Sequence, residues 1–150
     1  MPPHGDSLVT EEEVARVVAE VSSGAEDPQH VSALVGAFMQ MQPLVGHYVS
    51  AHAKELSLEG VVLTLLHASV MARCVELHAG RALPPLKADE LDAAARSPSR
   101  DEAALTKEEP ALMSYLLGNL TEDDPTLGGA RRKDALTVLF VATRAFLDHF

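Results

Sequence analysis

The sequence predicts an all-α fold, a single-domain bundle of about eight helices over residues 1–150. Three observations carry that prediction. Apolar residues recur at helical spacing, as in Val14, Val17, Val18 and Val21 at i, i+3, i+4 and i+7. Helix start and stop signals separate these stripes. Val-rich pieces such as Val61-Val62 lack the alternation and hairpin turns that strands need.

Taken in order, Thr10 followed by Glu11, Glu12 and Glu13 reads as a capping box opening the first helix, and Ser22-Ser23-Gly24 ends it. Asp27-Pro28 opens the second, with Val31, Leu34, Val35 and Phe38 as its apolar stripe. Pro43 breaks the pattern near Met41-Gln42 and starts a third helix expected to reach Glu55. Ser57 caps a fourth, which runs to Gly80. Leu83-Pro84-Pro85-Leu86 is a stiff connector. After it come a short helix over Ala88–Arg96, another capped by Ser99, a third from Pro110 to near Leu120, and a long one over Ala130–Phe150.

Composition narrows the function classes. With 47% apolar residues, 23% charged residues and a mean hydropathy of +0.05, the chain can bury a core and is not disordered. A net charge of −10 opposes nucleic-acid binding, whose affinity comes largely from neutralised phosphates. The start, MPPHGDSLVTEEE, has neither the basic nor the apolar region of a secretory signal. Contiguous apolar runs such as Val61–Leu66 fall far short of the ~20 residues that span a bilayer. A cytoplasmic location without membrane attachment is the expectation.

The two sides of the connector, residues 1–82 and 86–150, repeat one order of parts. Each has an acidic first helix, a second helix stopped by proline, a third begun by that proline, and a long apolar fourth. Gln42-Pro43 with Tyr48 matches Glu109-Pro110 with Tyr115 at one offset of 67 residues. Internal duplication with a pseudo-twofold axis would explain the match, and so would two unrelated proline-initiated helices.

Two constellations could carry chemistry. His67, Met71, Cys74 and His78 point within roughly 60° of one another on a helix, and their types suit soft or borderline metals. His47 and His52 could add to them. The same stripe carries Leu63, Leu66 and Val70, however, and is about 16 Å long, so a packed core explains it without a metal. Arg131, Arg132 and Lys133 are the second set, at a helix start where an anion or a partner's carboxylates could bind. No nucleophile elbow, phosphate loop or zinc-helix pattern occurs, so no catalytic residue, metal or cofactor is assigned.

The function expected by exclusion is a cytoplasmic protein-interaction module, an adaptor or regulator without catalytic activity. The alternative is a small-ligand or metal sensor, or less readily an enzyme, using an inter-helix pocket lined by His67, Met71, Cys74 and His78. Leu136, Leu139, Phe140, Phe146, Leu147 and Phe150 put large apolar groups on more than one side of the last helix. That surplus predicts a homodimer through the helix.

Overall fold

The computed structural model describes residues 8–24 and 27–149. Among them the fold is all-α, with helices α1 (Glu11–Ser22), α2 (Pro28–Met41), α3 (Pro43–Ser50), α4 (Ala53–Ala79), α5 (Ala88–Arg96), α6 (Glu102–Glu108), α7 (Pro110–Asn119) and α8 (Ala130–Asp148). The two long helices, α4 and α8, pack on each other along the centre. Helices α1, α2 and α3 pack on α4, α5 and α6 pack on α8, and α7 bridges α1 and α4.

Local chemistry explains most boundaries. The Thr10 hydroxyl accepts from the Glu13 N–H at 3.1 Å, and the Glu13 carboxylate accepts from the Thr10 N–H at 2.9 Å. Asp27 caps α2, and Gly80 closes α4 in the left-handed region at φ 72°. Three boundaries differ from expectation. Helix α3 stops at Ser50, and α4 begins at Ala53 and kinks at Ser57. Ser57 holds φ 70°, uncommon for a residue with a side chain, and its hydroxyl accepts from the Gly60 N–H at 3.2 Å. It is still the cap of the long segment, with one extra turn before it. Asp101 rather than Ser99 caps α6, because Pro98–Arg100 form a short 3-10 turn that carries Ser99 past the cap position.

Helix α4 is long and apolar enough to cross a membrane by length and composition. Counting contiguous apolar runs missed this, because the run that starts at Val61 stops at His67. Val61, Leu65, Ala68, Met71 and Val75 are buried inside the fold, as the central helix of a bundle requires. Helix α8 is enclosed in the same way. Leu139 and Phe146 are fully buried, and Phe146 meets Phe38 of α2 edge-on at 6.4 Å. Phe140 and Leu147 are half-buried against this core, and Phe150 lies outside the described residues. Among the described residues the large apolar groups of α8 are thus buried or half-buried within the fold.

The two halves share three devices. Gln42 and Glu109 each precede a helix-starting proline, with nearly equal backbone angles (φ −132°, ψ 67° and φ −135°, ψ 71°), and both are buried. Each reaches into the opposite half, at the chain just before that half's first helix. The Gln42 carbonyl oxygen accepts from the Leu86 N–H at 2.9 Å, and its amide donates to the Pro84 carbonyl at 2.9 Å. The Glu109 carboxylate accepts from the Val9 N–H at 3.0 Å. Val9 and Leu86 in turn stand as buried residues just before the caps of α1 and α5, with Val14 and Leu91 buried one turn on. That is the arrangement of a hydrophobic staple.

The third device joins the helix that opens each half to the helix that closes it. Glu13, third residue of α1, accepts from His78 Nδ1 at 2.7 Å. Glu90, third residue of α5, lies 2.8 Å from His149 Nδ1 at the end of α8. Both glutamates also accept the backbone N–H of their own cap residue, Thr10 or Lys87. Tyr48 and Tyr115 do not share partners: Tyr48 lies edge-on to His52, whereas Tyr115 bonds to His67.

Gln42 offers a direct test of how far the halves depend on each other. Replacing Gln42 by Leu strands the Leu86 N–H and the Pro84 carbonyl, and should lower stability by about 2–3 kcal/mol. Urea unfolding measures this, and a loss under half a kcal/mol would show that the clamp is dispensable.

Candidate functional site

The His/Met/Cys stripe does not converge on one point. Met71 and Cys74 are fully buried core residues. His67 and Tyr115 share a hydrogen bond of 2.9 Å between α4 and α7, and His78 is engaged by Glu13. His47 is exposed, and His52 packs on Tyr48 of the preceding helix. Among the described residues no group of three or more His, Cys, Asp or Glu side chains could hold a metal ion. The stripe pins helices together: its two histidines reach α1 and α7, and the two residues between them fill the core.

Electrostatics follow from these contacts. Burial, with the nearby Glu13 carboxylate, pushes the Cys74 thiol up to about 12, so no thiolate forms near neutrality. Burial lowers His67, and the charge of Asp124 opposes that shift only in part. Burial would raise Glu13, yet the Thr10 N–H and His78 outweigh it and hold the carboxyl below its ordinary range.

The basic turn is divided among different tasks. Arg132 donates from Nε to the Leu120 carbonyl at 2.6 Å, closing the end of α7, and approaches Glu122 at 3.9 Å. Arg131 and Lys133 are exposed, and Arg131 reaches the Thr126 carbonyl at 3.4 Å. Gly128 is required here, since a Cβ would collide with the Asp124 and Glu122 carbonyls.

The feature that sequence reasoning missed is a groove between α1, α2, α4 and the connector, enclosing about 270 Å³. Its walls include Val21, Leu34, Ala37, Phe38, Ala72 and Leu83. Small residues, Ala37 on α2 with Ser69 and Ala72 on α4, leave the space that larger ones would fill. Met41 stands at the side, half exposed. At the rim, Arg73 faces Glu20 at 3.9 Å, both about half exposed, a pairing worth little in water. Glu76 is held on the connector by the Leu83 N–H at 2.7 Å. The only sequence signal was the small-residue face Ser69–Ala72, and it acquires meaning only with α2 laid across it.

The second half holds an arginine of its last helix differently. Arg144 of α8 is buried and grips the Glu108 carboxylate with two bonds of 2.6 and 2.9 Å. It also bonds Asp148 at 2.7–3.0 Å, and these contacts raise its already high pKa. No protein-family model, curated protein or solved structure matches the chain.

Two measurements check the site. Cys74 should react with thiol reagents in the native protein far more slowly than in urea, because the thiol is both buried and protonated. Rapid native labelling would place it in a reactive environment. The folded values of His67 and Glu13 are both depressed, so the unfolded chain binds more protons. Their contributions are complete above the ordinary values, about 6.5 for imidazole, and disappear as pH falls through the lowered ones. Unfolding free energy should therefore fall between pH 7 and 5, and His67→Gln should flatten that slope. An unchanged slope in the variant would remove His67 from the account.

Proposed function

We propose that the chain is a non-catalytic protein-interaction module, an adaptor or regulator, whose working surface is the groove between α1, α2 and α4. One observation carries the reading: two exposed apolar residues stand beyond the cavity on the same face of α4. Leu58 is 80% exposed and Val62 40%, and both point within roughly 60° of Ser69 and Arg73 around the helix axis. From Leu58 to Arg73 the face runs about 22 Å at 1.5 Å per residue. That length suits a segment of a partner protein laid along the helix, with one apolar side chain seated in the cavity. The absence of catalytic motifs in the sequence agrees with this reading. A cytoplasmic setting and descent of the two halves from one duplicated unit belong to the same proposal.

A second reading, a small apolar ligand held in the cavity alone, draws on its size, which is close to the lower end for ligand sites. Native mass spectrometry of the purified protein would reveal such a ligand as a stoichiometric added mass.

Ala37 is exposed at the groove, so Ala37→Trp should block it while changing stability by no more than about half a kcal/mol. Proteins captured by the wild-type chain from its source cells should include one that Ala37→Trp loses and Asp92→Lys, exposed on α5 away from the groove, retains. If every captured protein survives Ala37→Trp, the groove is not the docking surface.

A further inference from the structure

Two positional frames relate the groove to the surroundings of Arg144 in the second half. Met41 immediately precedes the buried Gln42, as Glu108 immediately precedes the buried Glu109. Arg73 stands five residues before His78, which bonds the third residue of α1. Arg144 stands five residues before His149, which bonds the third residue of α5. The frames are independent, and they meet. Glu108 and Arg144 touch in one half, while Met41 and Arg73 line the same groove in the other.

The chemistry differs at two points. Arg144 is buried and bonded to two carboxylates, Glu108 and Asp148. Among the described residues Arg73 pairs with one, Glu20 of α1, at the outer limit of an ion pair, and remains about half exposed beside an apolar cavity. In the two frames Met41 holds the position of Glu108, and Leu77, just before His78, that of Asp148.

We propose that the partner segment received by the groove supplies the second carboxylate, placing an acidic group on Arg73 next to the apolar side chain that fills the cavity. This rests on the groove being the docking surface. Glu20 can stay in place, since an arginine between two carboxylates is what Arg144 already shows this architecture accommodates. A guanidinium reads a carboxylate through two parallel N–H donors, which a lysine could not reproduce. The chain's net charge of −10 disfavours an acidic partner at long range, but screening beyond about 8 Å at physiological salt confines that penalty, and the local contact decides.

N-acetyl-leucine and N-acetyl-leucinamide are nearly isosteric probes that differ in one negative charge. Titrated into the full chain and followed by amide chemical shifts, the acid should perturb Ala37, Ala72 and Leu83 at about fivefold lower concentration than the amide. A charge-assisted hydrogen bond is roughly twice as strong as a neutral one, which sets that expectation. Arg73→Gln should abolish the preference. Met41→Glu should abolish it too, by placing the chain's own carboxylate where the second half has Glu108. Equal binding of the two probes, or a preference that survives Arg73→Gln, would overturn the carboxylate assignment and leave the groove reading intact. If neither probe reaches the groove the assignment also fails, and the loss or survival of partner capture in Ala37→Trp then decides the groove reading separately.

Discussion

Proline 43 and proline 110 impose the constraint on which the rest of the structure depends. Each forbids a continuous helix and pushes the preceding residue out of helical geometry. That residue, Gln42 or Glu109, is thereby turned inward, and its side chain meets backbone N–H groups at the start of the opposite half. Unmet donors in that position would cost about 1–3 kcal/mol each. With them satisfied, Val9 and Leu86 can be buried and α1 and α5 begin at defined points.

From those starting points the other contacts follow in sequence. The third residue of each first helix is a glutamate that caps its own backbone and receives a histidine from the end of α4 or α8. The long helices are therefore fixed in rotation and in height against α1 and α5. Arg73 and Arg144, one and a half turns before those histidines, are fixed with them. What surrounds each arginine differs between the halves. Glu108 and Asp148 draw Arg144 into the core, whereas Met41 and the small residues Ala37, Ser69 and Ala72 leave an apolar space beside Arg73.

Much of the fold was legible because helix boundaries are governed by neighbours in sequence. Thr10 with Glu13, Asp27-Pro28, Gly80 and the two helix-starting prolines each act over four residues or fewer, and each stands where its local chemistry puts it. The misses have the same origin seen from the other side. Ser99 matched a cap pattern, but Asp101 matched it as well, and the choice depended on how Pro98 turned the chain. Helical spacing alone puts His67, Met71, Cys74 and His78 on one face. Whether its histidines meet a metal or one another is a question about α1 and α7, which supply Glu13 and Tyr115 from 65 and 48 residues away.

The sequence by itself therefore determined the helices and most of their caps and breaks, because spacing and capping are short-range effects. Only the tertiary structure decided what faces what: that Gln42 and Glu109 clamp opposite halves, that Phe146 lies inside the core, and that Arg132 closes α7. The groove belongs wholly to this second class. A cavity is the space that side chains on three helices fail to fill, and that failure exists only once the helices are packed.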